Sequence, residues 1–469
     1  MARISFESRR FAKKLQNIPL NLRLILAPHQ TLLSLKNMPE YIKWSIENID
    51  IGQKMQSLSV RPGYEGAFVL FWWRNIPLGY QEFSADSLPI SAIALSSIIA
   101  RTVTSTVNHY LEEDFIPPPP RIKGVRQELE QHYDLETIKR LKSPLARLDQ
   151  LYSPNSSAET QSVSVVICTR NRPQQLDECL QSLQHLVDCP TEVLVVDNAP
   201  VGNETKEVVK KYPEVTYILE SRPGLSIARN TGIRQATGNI IAFTDDDVKV
   251  HPHWIKKIRY GFQDPNVMVV TGLMLPAELE TPAQIAFHEG AHGFEWPCRP
   301  ILYDGHYFEA RKRFGTPVWQ IGAGANMALR RQVVDNIGDF NELLGAGASG
   351  CSEDSEFWYR VLAAGWICRY EPSAVVYHYH RGDLVSLKEQ QYAYMRGHVV
   401  ALLIQASQHR HWGNLFRLFI TLPSYYIQRF LKGIRNRFQG KYMTVFVEIR
   451  GCFAGILFFI RHYAAATKH

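Results

Sequence analysis

The chain has 469 residues, 45% of them hydrophobic and 21% charged, with a formal net charge of +7. That length exceeds one ordinary core, so two or three domains are expected, and the composition excludes an intrinsically disordered chain. From Arg381 to the end there are 13 Lys/Arg against 3 Asp/Glu, so the tail carries 13 − 3 = +10 and the rest about −3. A basic tail suits nucleic acid, an anionic membrane or a solvated face. The seven cysteines are odd in number and hold no CxxC pair. This pattern predicts reduced thiols in a cytoplasmic protein rather than a disulfide framework.

At the N-terminus, "MARISFESRRFAKKLQ" has no apolar core, so no signal peptide is expected. Residues 1–116 are expected to form a small α+β accessory domain. Within it, "GAFVLFWWRNIPLGYQEF" (66–83) predicts two strands around a turn at Asn75-Ile76-Pro77, and "SAIALSSIIARTVTSTVNHYL" (91–111) has helical periodicity. The four prolines at 117–120 open a linker that runs to residue 162, with a short charged helix inside it.

From Val163 the pattern changes. "VSVVICT", "EVLVVDN", "VTYILE", "NIIAFTD" and "VMVVTG" are apolar, β-branched runs separated by amphipathic segments. Such alternation predicts βαβ units and an α/β domain whose sheet is mainly parallel and flanked by helices. Ligands of these sheets bind beyond the carboxyl ends of the strands. The polar residues at those ends are therefore the candidates for chemistry.

The fourth run ends in Asp245-Asp246-Asp247. On an extended chain Asp245 and Asp247 share one side and Asp246 takes the other. Two carboxylates on one side call for a cation, and Mg²⁺ or Mn²⁺ with one or two carboxylates plus phosphate oxygens fits. The competing reading is a helix cap. Asp197 ends the second run in "VVDN", where a carboxylate can accept from a base or ribose, or simply form a turn. Arg222, Arg229 and Asn230 lie near a helix start after Gly224, suited to phosphate. In "CSEDSEFWYRVLAAGW" (351–366), acids open a helix, either complementing its dipole or offering Asp354 as a general base. "GAGASG" (345–350) does not follow an apolar strand and reads as a loop. "HEGAH" (288–292) fits a zinc peptidase signature, yet Gly290 weakens the helix and no convincing third ligand follows.

Taken together, "VSVVICTRNRPQQLDECLQSL", "EVLVVDNAP", "GLSIARNTGIRQATGNIIAFTDDDV", "GAGANMALRR", "IGDFNELLG", "SEDSEFWYRVLAAGW" and "YEPSAVVYHYHR" resemble glycosyltransferase family 2. The resemblance runs from about Val163 to Arg381. It implies a GT-A type fold and an inverting enzyme that uses a nucleoside-diphosphate sugar and Mg²⁺ or Mn²⁺. By that resemblance Thr169, Arg170, Asn171, Asp197, Arg229, Asn230 and Asp246 lie at the donor. Asp245, Asp247 and His378 hold the metal, with His380 as the alternative to His378. Asp354 is the catalytic base and Glu353 the supporting acid.

Members that polymerise and export polysaccharide carry Q-x-x-R-W and several spans. Here the nearest stretch is "QQYAYMRGH" (390–398), and the apolar run 451–460 is too short to cross a bilayer. A non-processive enzyme of polysaccharide, glycolipid or cell-envelope glycan synthesis is therefore expected, with a glycan or lipid-linked acceptor. A nucleotidyltransferase making sugar nucleotides is the alternative within enzymes, but the Gly-rich basic loop it needs is absent after the first run. Residues 382–469 read as basic amphipathic helices. They suit peripheral contact with an anionic membrane, at the inner face of the plasma membrane, or a subdomain with its basic face in water. No nucleic-acid motif accompanies the charge, so nucleic acid is not an expected partner.

Overall fold

A computed structural model describes residues 43–111, 148, 161–289 and 297–466. The proline run and the charged segment after it lie outside the described residues, as do the first 42 residues. The described chain begins with strands β1 (Trp44–Asp50), β2 (Gly66–Trp73) and β3 (Ile76–Ser84) and helix α1 (Ala92–Leu111). The turn between β2 and β3 sits at Arg74-Asn75, because Ile76 and Pro77 already pair with β2.

A second sheet follows. Its elements are β4 (Val163–Thr169), α2 (Pro173–Gln184), β5 (Glu192–Asn198), α3 (Glu204–Val209), β6 (Val215–Glu220), α4 (Leu225–Gln235), β7 (Ile240–Asp245), β8 (Val248–Val250), α5 (Trp254–Gly261) and β9 (Val267–Pro276). The chain continues through α6 (Pro282–Glu289), β10 (Ile301–Tyr303), α7 (Gly305–Arg311), β11 (Asn326–Arg330), α8 (Arg331–Ile337), α9 (Glu353–Ala363) and β12 (Ile367–His378). Helices α10 (Leu384–His409), α11 (Leu422–Arg435) and α12 (Val445–Ala466) close it.

The strand order is β10-β12-β9-β11-β7-β4-β5-β6, with β8 paired to β12. Strands β7, β4, β5 and β6 are mutually parallel, as the βαβ pattern requires. Strand β11 then enters antiparallel between β7 and β9, which makes the sheet mixed. Apolar clusters cover both faces of this sheet.

The N-terminal sheet is joined to the larger one through the two faces of β2. Phe68, Leu70 and Trp72 enter the core cluster of the larger sheet, whereas Ala67, Val69 and Phe71 pack with α1. This is the period-two alternation of a strand buried on both sides. At the other end, α12 lies along α10, with Phe459 packed among Val399, Leu403 and Ile404. Gly440–His462 is by length and composition long and apolar enough to cross a membrane, and 33% of its apolar window is buried in the protein. That corrects the expectation drawn from residues 451–460 alone. The helix continues through Glu448 because Arg429 neutralises this acid at 3.2 Å.

Near the centre of the sheet, the Cβ position of Gly272 is taken by the carbonyl of Ala374 and, at 2.5 Å, by Asn326 Nδ2. That amide bridges Leu273 O and Ala374 O at 3.0 and 2.8 Å, and its oxygen accepts from Trp254 Nε1 at 2.9 Å. A side chain here must push β9 and β12 apart. Gly272→Val is expected to lower unfolding free energy by about 3 kcal/mol, read by chemical denaturation; a change within error would refute the close approach.

Candidate active site

A cavity of ≈ 1700 Å³ opens at the carboxyl ends of the parallel strands. Thr169, Arg170, Arg172, Asn198, Arg229, the three aspartates, Glu353, Asp354 and His378 line it. Residues 186 positions apart in sequence, Cys168 and Asp354, thus face one space.

The aspartates depart from the strand-alternation expectation. Strand β7 stops at Asp245 and the chain turns through Asp246 and Asp247 before β8, so all three reach the cavity. Asp245 Oδ1 meets Arg229 Nη2 at 3.5 Å. Asp246 accepts from Thr169 Oγ1 at 2.8 Å and from Arg172 Nη1 at 2.9 Å. Asp247 takes the same Arg172 nitrogen at 3.1 Å, His378 Nε2 at 3.3 Å and Arg381 at 3.9 Å.

Burial pushes Asp246 up to about 6, helped by the negative charge of Asp247. Asp245 is likewise raised by burial, against the pull of Arg229. For Asp247 burial acts in the same direction, but His378, Arg172 and Arg381 overcome it and hold the carboxyl below its usual range. Arg172, the last residue of "TRNR", was missed by the sequence reading. Its signal was its place one step beyond the residues chosen at the end of β4.

The second cluster sits at the start of α9. Ser352 adopts a left-handed backbone (φ 69°), which turns the chain into the helix. Glu353 is buried and accepts from Arg229 Nη1 at 2.6 Å. Burial raises its carboxyl to about 7, with Arg229 opposing and Asp354 adding to the rise. Asp354 accepts from the Gly324 N–H at 2.8 Å and from the Ser355 N–H at 2.6 Å, and it stays partly open to the cavity. A Cβ on Gly324 would lie 2.8 Å from Arg229 Nη2 and 3.0 Å from Asp354 Oδ2. Gly324 of "GAGAN" thus lets backbone approach both charged groups, while Gly322 lies against Thr271.

Other expected residues take different places. Asn230 is buried and exchanges hydrogen bonds with the backbone of Phe340 at 2.9 Å, so it clamps a loop behind the cavity. Asp197 is fully buried, accepts from Tyr217 at 2.9 Å and does not line the cavity, whereas Asn198 beside it does. Asn171 lies on the surface and accepts from the Val201 N–H at 2.9 Å. His378 faces Asp247, while His380 is buried behind it against the Phe287 ring. His288 of "HEGAH" bonds Glu82 of the N-terminal sheet at 2.8 Å, and His292 lies outside the described residues.

Among the described residues no three His, Cys, Asp or Glu side chains converge as a metal cage. Asp245, Asp247 and His378 are therefore not a closed chelate, since His378 turns its Nε2 onto Asp247. An open site for Mg²⁺ or Mn²⁺ needs only one or two carboxylates, with the remaining oxygens from phosphate and water. The charge pattern fits that need: Asp245 and Asp247 repel each other, and burial raises the cost of keeping both ionised.

The chain is similar to several known proteins. Residues 164–338 match the model of glycosyl transferase family 2. It is 30% identical over 235 residues to the pre-mycofactocin glycosyltransferase of Mycobacterium tuberculosis, covering 49% of this chain and 45% of that protein. It is 26% identical over 236 residues to the glycosyltransferase AglE of Haloferax volcanii, covering 49% and 70%. The chain thus spans about half the length of the mycobacterial relative. The mannosyltransferase PcManGT of Pyrobaculum calidifontis, solved with GDP-Man and Mn²⁺, superposes with a TM-score of 0.42 at 14% identity over 66% of this chain and 93% of that one.

The Arg229–Glu353 pair has a direct test. Arg229→Met leaves Glu353 buried without its cation and is expected to cost about 3–5 kcal/mol above neutral pH and less below it, where the raised carboxyl protonates. Adding Glu353→Gln should restore more than about half of that loss, by the double-mutant cycle. Equal loss in the single and double variants would refute the pairing.

Proposed function

We propose that the chain transfers a sugar from a nucleoside-diphosphate sugar to an acceptor hydroxyl, with inversion and one addition per encounter. The observation that carries this reading is the division of acids within one cavity. The aspartates at and just after the end of β7 are tied to Arg172, Arg229, His378 and Arg381, while Asp354 stays open and, among the described residues, is held by two N–H groups. A base needs an accessible lone pair, and Asp354 retains one.

In the reaction Asp354 takes the proton of the acceptor hydroxyl as that oxygen attacks the anomeric carbon. The carbon–oxygen bond to the diphosphate breaks, and its electron pair leaves with the nucleoside diphosphate. The Gly324 N–H keeps the Asp354 carboxylate oriented, and Arg229 holds Glu353 and Asp245 on either side. Thr169, Arg170, Arg172 and Asn198 line the donor end, where cationic side chains suit phosphate. Asp197 and Asn230 act behind this wall by fixing strand and loop positions. A divalent ion held by Asp245 and Asp247, with His378 orienting Asp247, would neutralise the charge of the departing diphosphate.

The acceptor is a glycan or a lipid-linked molecule, in the synthesis of polysaccharide, glycolipid or cell-envelope glycan. All seven cysteines are free, which fits a cytoplasmic, reducing setting.

Asp354→Asn keeps the shape and removes the base. Release of nucleoside diphosphate from a panel of sugar nucleotides with Mn²⁺ should fall roughly 10²–10⁴-fold, while donor binding by thermal shift stays. Wild-type turnover in this variant would end the assignment. Donor plus Mn²⁺ should raise the wild-type thermal midpoint more than donor with chelator, by mass action on the native state. Asp247→Asn should lose that metal-dependent increment; if it keeps the increment, Asp247 is no metal ligand.

A further inference from the structure

The C-terminal helices carry an apolar face that no other described part of the chain covers. On α11, Ile427, Leu431 and Ile434 are 61%, 60% and 56% exposed, at helical spacing. The opposite side of the same helix buries Tyr426, Arg429 and Gly433. The face continues onto α12. Phe430 and Phe446 meet with ring centroids 5.9 Å apart, Phe438 lies 4.9 Å from Phe446, and Phe453 is exposed farther along. This is one contiguous patch on two helices, larger than the scattered apolar residues of a monomer surface.

Charge selects what covers it. Residues 410–462 contain nine Lys/Arg and one acid, Glu448. Glu448 is buried and bound to Arg429, so it adds no negative charge to the surface. Lys432, Arg435, Arg437, Lys441 and Arg450 are exposed around the patch. A second copy of this face would set cations against cations. An acidic surface with an apolar layer beneath it satisfies both features.

We propose that this face seats α11 and one side of α12 in the interface of an anionic lipid bilayer. The helices lie in the plane of the surface, because the opposite side of α12 packs on α10 and Glu448 is held in the protein. Leu422 and Tyr426 of α11 also line the large cavity, from the side of the helix turned away from the patch, so docking holds the cavity about one helix thickness from the lipid surface. A lipid-borne acceptor would then have only that distance to cover; this last consequence rests on the reaction proposed above, and the docking does not.

The test is flotation of the full chain with vesicles of phosphatidylcholine alone or with about 30% phosphatidylglycerol. The anionic vesicles should carry at least about tenfold more protein, and high salt should release most of it. Ile427→Glu with Leu431→Glu and Ile434→Glu should abolish flotation, and Lys432→Glu with Arg435→Glu should reduce it about tenfold. All five side chains are exposed, and near-ultraviolet circular dichroism checks the fold; Phe446→Glu on α12 serves should the triple variant misfold. Equal flotation on neutral vesicles, wild-type flotation of the variants, a dimer that buries the patch and does not float, or resistance to alkaline carbonate extraction would each overturn the proposal. The last result would mean a spanning helix.

Discussion

A single buried guanidinium organises the site. Arg229 is 2% exposed, gives one nitrogen to Glu353 and another to Asp245, and lies over the rings of Phe243 and Phe340 at 5.7 Å each. A charge so far from water is tolerated only where partners meet it with good geometry. Those partners come from β7 and from the start of α9, while Arg229 itself stands on α4. Its burial therefore fixes three elements against one another. Asp354 follows Glu353 on the same helical turn, so its position is inherited from the ion pair. The bare backbone of Gly324 fits between Arg229 and Asp354 and completes the set.

The same logic separates the two ends of the cavity. Arg172 bridges Asp246 and Asp247 but remains a third exposed, in contrast to Arg229. Its hold on the aspartates is weakened by solvent, so it can be rearranged at modest cost. Arg229 cannot yield in this way without stranding Glu353. The end that holds Asp246 and Asp247 is thus the adaptable part of the site, and the end that holds Asp354 is the rigid part.

Much of this was legible in the sequence. The β-branched runs at 163–169 and 192–198 are strands because both faces are buried and no alternation is needed, whereas 215–220 is a half-exposed strand at the edge of the sheet. The acids at strand and helix ends were visible because charge after an apolar run is rare without a use. The antiparallel insertion of β11 was not legible, since "NMALR" is short and its pairing with β7 and β9 depends on distant residues. The roles of Asp197, Asn171 and Asn230 were also out of reach, because local spacing cannot tell a residue facing a cavity from one facing the next loop. The placing of Asp246 on the opposite side followed a strand rule that stops one residue earlier, at the end of β7. Arg172 was hidden by its neighbour Arg170, which shares its chemistry but not its contacts.

The two-faced strand β2 has a consequence for where the chain can be divided. Phe68, Leu70 and Trp72 belong to the same apolar cluster as Phe243, Met327 and Trp358 of the larger sheet. The N-terminal unit is thus a stave of the larger sheet's core and not a detachable module. A chain severed at the proline-rich segment would open an apolar wall to water on each half, so the two pieces are one cooperative body despite the long connection between them.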